Sequence, residues 1–294
     1  MKVYWLEQTE ADLPNGNTGT LACACAARSG CATRPDPEWL SAKELVQLNA
    51  MRFAKRRAEW QLGRWTSKLA VAACLQLPAD LHSLASIEVR PAPSGAPETF
   101  LGNQWAPVTI SLSHRDGKAI CAVASDRGAL GCDLEVIEPH SNAFIADYFT
   151  TEEQALVARV APADRPGLVT LLWSSKESAL KALRAGLRLD TRCVIVTLVD
   201  ALPIQNEEEE VWVSGEFTKD SAFAARQADS VNDWRPLQVR HIHDQTFFGW
   251  WQRTGNLLRT IVAAPPPARP CRLDVPHCST DSPSGVDPDQ SQVA

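Results

Sequence analysis

The sequence predicts an α+β protein built as two halves joined near residue 126, with a cleft between them. Three observations carry that reading. A long amphipathic helical stretch starts at Ser41 and runs through MRFAKRRAEWQLGRWTSKLAVAACLQL, and strand-like segments follow it. A second series then begins with an acidic strand, continues through helices and ends in strands. At 294 residues the chain is long enough for two units of ordinary size. No convincing repeat is visible in the sequence itself. The expected divisions are an N-terminal strand and loop (1–35), an N-terminal α+β half (36–126), a C-terminal α+β half (127–263) and a tail (264–294).

In the first half, Val3 to Leu6 reads as a short strand before a Gly- and Cys-containing loop. Ser41 and Glu44 have the spacing of a capping box, in which each side chain satisfies the other's backbone N–H. On the helical stretch after it, Arg56, Arg57, Arg64 and Lys68 give a basic side, along which Arg57, Arg64 and Lys68 form a stripe in seven- and four-residue steps. Two accounts of the stripe stand: a solvated charged face, or a dock for a phosphorylated ligand. Ile87 to Arg90 reads as a strand, and the stretch PAPSGAPETFLGNQWAP as mostly irregular because of its Pro and Gly. Val108 to Ser113 and Ala119 to Ser125 form a hairpin around Arg115-Asp116-Gly117-Lys118.

In the second half, Leu130 to Ile137 reads as a strand, placing Asp133 and Glu135 on one face. Thr150 caps a helix through T-T-E-E, and APADRPG ends it. The next helix begins near Leu168 and carries WSSKESALKALRAGL, with Gly186 as its left-handed stop. The segments RCVIVTLV, VWVSGEF, LQVRHI, TFFGWWQ and LLRTIVAA read as strands. Glu207 to Glu210 reads as a solvated turn. From Ala264 the Pro-, Ser- and Asp-rich composition predicts disorder.

Chemistry concentrates where the acidic strand meets the last helix. Glu177 and Lys181 are four apart and share a helix face, while Ala179, Leu180 and Leu183 take the opposite stripe. Packing strand on helix gathers Asp133, Glu135, Glu177 and Lys181. Three carboxylates that close repel unless a cation joins them, which points to a hard metal such as Mg²⁺. Singly, each residue also fits a plain role: a wet strand face, a helix ion pair, a turn histidine at His114.

Composition narrows the classes. Hydrophobic residues at 45% and charged residues at 22% are those of a globular chain, and a net charge of −6 argues against a nucleic-acid partner. The longest apolar run, Leu69 to Leu77, is too short to span a membrane. The N-terminus, MKVYWLEQTEADLP, lacks the apolar core of a secretory signal, so a cytoplasmic location is expected. Cys23, Cys25 and Cys31, and Cys271 and Cys278 with His277, lack paired metal-ligand spacing. Cys74, Cys121, Cys132 and Cys193 sit in apolar contexts and read as reduced core thiols.

Three motifs, in order, give the chain a resemblance. They are ISLSH (Ile110 to His114), GCDLE (Gly131 to Glu135) and WSSKESALK (Trp173 to Lys181). Together they resemble the Sfp-type 4′-phosphopantetheinyl transferases, and the likeness covers roughly Arg52 to Ala263. The resemblance implies two similar α+β halves related by a pseudo-twofold, with the active site in the cleft between them. It implies transfer of the 4′-phosphopantetheine arm of coenzyme A to a serine of an apo acyl or peptidyl carrier protein, with release of 3′,5′-ADP. It implies Asp133, Glu135 and Glu177 as Mg²⁺ ligands, Glu177 also as metal-proximal base, and Lys181 as the cation on the transferred phosphate. Ser113, His114 and Lys176 would meet the anionic coenzyme A.

Where many members have Gly-Lys-Pro, this chain has Gly95-Ala96-Pro97, so a cation is missing near the nucleotide. Arg64, or Arg57, would replace it at the 3′-phosphate. The stretch Pro139 to Tyr148, with Phe144 and Ile145, is either the carrier-docking loop or a loop packed inward. Two further readings are a coenzyme A or carrier-protein binding module with degenerate catalysis, and another Mg²⁺-dependent phosphotransferase. The carrier, from fatty acid, polyketide or nonribosomal peptide synthesis, is not named by the sequence. Two halves in one chain supply both walls of a cleft, so a monomer is expected.

Overall fold

A computed structural model describes residues 1–14, 37–199 and 233–275. The expected strand VWVSGEF, the turn Glu207 to Glu210 and the cysteines Cys23, Cys25, Cys31 and Cys278 lie outside the described residues. Strand β1 (Val3–Thr9) opens the first half. Helix α1 (Ala42–Ala50) follows, capped by the reciprocal Ser41–Glu44 pair. The amphipathic stretch then breaks at Met51, and α2 (Ala54–Cys74) starts after Phe53. Arg57 donates to the Leu48 carbonyl at 2.5 Å, satisfying an orphaned carbonyl at the end of α1. Arg57 lines neither of the two cavities described below, so the structure does not set it beside the site as the alternative to Arg64 expected.

Short helix α3 (Leu81–Ser86) leads into β2 (Ile87–Pro91). The Pro- and Gly-rich stretch after it holds more regular structure than its composition predicts. Strand β3 (Pro97–Leu101) pairs antiparallel with β2, and β4 (Gln104–Trp105) pairs with β3. Pro91 and Pro97 face each other at the strand ends, where a missing N–H costs little. Strands β5 (Thr109–Arg115) and β6 (Lys118–Ala124) form the expected hairpin. Asp116 and Gly117 both take positive φ in its two-residue turn, at 51° and 69°.

The second half repeats the plan. It comprises β7 (Ala129–Val136), α4 (Asn142–Tyr148), α5 (Thr151–Arg159), α6 (Arg165–Ala182), β8 (Val194–Leu198), β9 (Arg235–His241), β10 (Thr246–Thr254) and β11 (Leu257–Ala264). Its sheet runs β7-β11-β10-β9-β8, while the first half gives β1-β6-β5 and, beside β5, the β2-β3-β4 ribbon. In each half the opening strand pairs antiparallel with the last strand, which pairs in turn with the strand before it. The two sheets meet through buried Trp5, Ile120 and Ala122 on one side and Leu130, Leu134 and Ile261 on the other.

A repeated clamp holds each long helix to its half. In the first, Glu44 accepts from Lys68 Nζ at 2.6 Å and from Val89 N at 3.1 Å, and Lys68 donates onward to the Trp39 and Leu84 carbonyls. In the second, Glu153 accepts from Lys176 Nζ at 2.8 Å and from Val196 N at 3.0 Å, and Lys176 donates to the Thr191 and Val194 carbonyls. Both lysines are fully buried, and burial lowers their pKa against the opposing pull of the glutamate. This corrects the assignment of Lys176 to an anionic ligand: its ammonium is enclosed and its donors are engaged inside the fold. Lys68 likewise leaves the basic stripe.

Three other expectations change. Helix α6 ends at Ala182, four residues before Gly186, because Arg184 itself turns left-handed (φ 56°). The stretch expected as a docking or inward-packed loop is helix α4, and Phe144 and Ile145 pack inward on the core. Of the tail expected to be disordered, residues 265–275 are described and make regular contacts: β12 (Cys271–Arg272) pairs in parallel with β1. Among the described residues no helix is long and apolar enough to cross a membrane, and the cysteines are free, with Cys121 and Cys132 buried.

Two stability predictions follow from this packing. A Cβ on Gly131 would lie 1.8 Å from the Ser178 carbonyl oxygen, so β7 approaches α6 there only because position 131 has no side chain. Gly131→Ala should cost about 3 kcal/mol or more in urea denaturation. Lys176→Met leaves Glu153 buried without its cation and should cost about 3–5 kcal/mol, with much of the loss recovered in Lys176→Met/Glu153→Gln.

Candidate active site

The site forms where β7 passes between β5 of the first half and α6 of the second. Alternation on β5 turns Ser111 and Ser113 toward β7. Ser111 Oγ accepts from Cys132 N at 2.9 Å, and Ser113 Oγ donates to Asp133 Oδ1 at 2.7 Å. The two serines of ISLSH thus tie one half to the other. From the opposite side Lys181 Nζ donates to the same Asp133 oxygen at 2.7 Å and to the Cys132 carbonyl at 3.0 Å. Asp133 is 3% exposed, and its second oxygen, Oδ2, is buried with no protein partner.

Glu135 lies two residues along the same strand face, with Arg115 Nε at 3.4 Å. Burial pushes its carboxyl up to about 7, Asp133 adds to the rise, and Arg115 and Trp173 oppose it. Glu177 is also raised, by burial first and by Asp133 second, with Lys181 opposing. For Lys181 burial is the largest single effect and acts downward, but Asp133, Cys132 and Glu177 together outweigh it and the ammonium is stabilised. The three carboxylates therefore share one electrostatic neighbourhood. Among the described residues no group of three or more His, Cys, Asp or Glu side chains is arranged to hold a metal ion, and Lys181 is placed on Asp133. The feature that fits a hard divalent cation is the buried, unpartnered Oδ2 of Asp133 beside two carboxyls with raised pKa values.

His114, at the end of β5, is exposed beside a cavity of about 740 Å³ lined also by Ser113, Arg56, Trp60 and Arg64. Arg64 stacks over Trp60 at 4.8 Å and lies 3.7 Å from Glu44, and its buried Nε has no hydrogen-bond partner. Burial lowers its pKa, with Glu44 opposing. Of the predicted residues, the fold thus gathers Asp133, Glu135, Glu177, Lys181 and Ser113, and sets His114 and Arg64 on an adjoining cavity. Lys176 is excluded.

Sequence reasoning misses two participants. Arg115 reads there as part of a hairpin turn, yet it pairs with Glu135 and with Glu138 at 2.6 Å. Trp173 is given no role of its own, whereas it bonds Glu135 and packs on Phe144 at 5.1 Å. Its position at the head of WSSKES was the available signal.

The chain is similar to known proteins. The family model described as the 4′-phosphopantetheinyl transferase superfamily matches residues 129–235. Over 151 residues the chain is 31% identical to the 4′-phosphopantetheinyl transferase AcpT of Salmonella typhimurium, covering 51% of this chain and 70% of that one. The AcpT of Salmonella typhi is 30% identical over the same length, again at 70% of its own chain. The AcpT of Escherichia coli O157:H7 is 35% identical over 91 residues, or 43% of its length.

The raised carboxyl gives a pH prediction. Glu135 titrates at about 7 in the folded chain against an ordinary 4.5, so the fold binds this proton more tightly than the unfolded chain does. Its contribution to stability is complete below 4.5 and is lost as pH rises through about 7. With a chelator present, the thermal midpoint should fall across that window, and Glu135→Gln should flatten the slope.

Proposed function

This chain belongs to the 4′-phosphopantetheinyl transferase superfamily, and from that premise we infer that it moves the 4′-phosphopantetheine arm of coenzyme A onto a serine of an apo acyl or peptidyl carrier protein, with Mg²⁺. The observation that carries the site assignment is Asp133: one oxygen is held by Lys181 and Ser113, and the other is buried and unpartnered. Asp133, Glu135 and Glu177 would hold the magnesium ion, which when bound would neutralise charge on the pyrophosphate.

The remaining work falls to the chain. The carrier serine oxygen attacks the phosphorus that bears pantetheine, and the bond from that phosphorus to the bridging pyrophosphate oxygen breaks, releasing 3′,5′-ADP. Glu177 takes the serine proton; burial and Asp133 raise its pKa toward the range useful to a base near neutral pH. Lys181 stays charged beside Asp133 and supplies a fixed cation for charge developing on the phosphate. Ser113 orients Asp133, and His114 with Arg64 offers an anionic subsite on the adjoining cavity for the coenzyme A pyrophosphate.

The test is transfer of a fluorescent coenzyme A arm to a panel of apo carrier proteins. Asp133→Ala and Glu177→Ala should abolish labelling while circular dichroism stays native; full activity in either refutes the site. Lys181→Met should lower kcat by about 10²–10³-fold, as loss of one preorganised charge donor does. Omitting Mg²⁺ should stop transfer, and unchanged labelling in a chelator would overturn the metal assignment.

A further inference from the structure

A second cavity, of about 690 Å³, opens on the other side of β5 between the two halves. It shares Leu112 with the His114 cavity and is lined by Lys181, which donates to Asp133, so it borders the proposed site. One wall is the turn Ser94-Gly95-Ala96-Pro97 of the first half, which carries no cation of its own. The opposite wall is the segment after α6, and it sends two arginines across. Arg184 pairs with Glu98 at 3.1 Å, and Arg188 donates to the Ser94 carbonyl.

The way α6 ends makes this reach possible. Ala185 N bonds to the Leu180 carbonyl at 3.1 Å and Arg184 N to the Lys181 carbonyl at 2.9 Å. That is a helix terminus whose left-handed position usually holds Gly or Asn. Here it holds Arg184 at φ 56°, although a glycine stands two residues on at Gly186. A long side chain in that conformation is costly by sterics alone. It projects a guanidinium into the cleft.

The cavity's chemistry selects a ligand class. Lys181, Arg184, Arg188 and Arg127 face a single carboxylate, Glu98. The Trp105 ring, 57% exposed, rests against Phe100 at 4.9 Å and presents flat apolar surface to the cavity. Cations with a flat ring suit an anion that carries an aromatic base. We propose that Arg184 and Arg188 grip the phosphorylated nucleotide end of coenzyme A across the cleft, supplying the charge that the Ser94–Pro97 turn lacks. The proposal rests on the transferase reading above. Arg188 is well placed because its present partner is a neutral carbonyl, which leaves its other N–H donors for phosphate.

Calorimetric titration tests this with coenzyme A, 3′,5′-ADP and 4′-phosphopantetheine against wild type, Arg188→Ala and Arg184→Ala/Arg188→Ala. Both nucleotides should bind about tenfold weaker in the single variant and weaker still in the double, with 4′-phosphopantetheine binding unaltered. In steady state the rise in KM for coenzyme A should exceed the fall in kcat, and Arg188→Lys should restore part of it. Wild-type nucleotide affinity in the double variant, with a lowered melting temperature, would make the arginines a mechanical clasp between the halves and overturn the proposal. If wild type transfers the arm but the variants bind 3′,5′-ADP equally well, the subsite is wrong and the transferase reading stands. A wild type that binds no coenzyme A and labels no carrier removes both.

Discussion

The buried lysine–glutamate clamp is the constraint from which the site follows. A charged pair inside a protein gives up hydration, and it persists only where further hydrogen bonds satisfy the remaining donors and acceptors. Both clamps meet that condition with the same parts. The glutamate closes a capping box and takes a strand N–H, while the lysine donates to two carbonyls, one of them at or just before the start of that strand. A helix pinned at one buried point to a helix cap and a strand has little freedom to slide or rotate. In the second half that pin sits one residue before Glu177, so the proposed base is positioned by a fully buried charge.

The clamps also expose the repeat. WTSKLA (Trp65 to Ala70) and WSSKES (Trp173 to Ser178) occupy equivalent places on α2 and α6. Both helices end with a non-glycine left-handed residue, Gln76 and Arg184, and with the same pair of backbone bonds. Where the second half places Glu177 and Lys181, the first has Leu69 and Ala73. One half kept the chemistry and the other filled those positions with core. The first half contributes Ser113, His114 and Arg64 instead, so neither half holds a complete site.

Much of this was legible beforehand, for reasons that differ by residue. Capping boxes at Ser41 and Thr150 and the Asp116-Gly117 turn are local, and local rules found them. Asp133, Glu135, Glu177 and Lys181 were found because periodicity fixes faces and like charges demand a partner. Lys176 was misassigned because a lysine beside a catalytic glutamate looks like a ligand group; its burial depends on Glu153, which is distant in sequence. The repeated WTSK and WSSK would have shown Lys176 to be structural, since Lys68 has no acidic neighbour to serve. The ends of elements were least legible. Helix α6 stops at an arginine, β3 starts at a proline, and residues past Ala264 are held by pairing with β1, which only the assembled sheet supplies.

Why the reacting groups lie at the seam is a matter of electrostatics. Asp133 needs enough burial for its free oxygen to favour a cation over water, and enough access for a pyrophosphate to arrive. A strand in the middle of one sheet would give the first without the second, and an exposed edge the reverse. Strand β7 is an edge strand of its own sheet, paired on one side only with β11, and its other side is covered by β5 of the first half. That borrowed cover leaves a cavity on each flank of β5, one lined by Lys181 and the other by Ser113, the two side chains that bond Asp133. At this seam a strand is both enclosed and approached, because each half covers what the other leaves open.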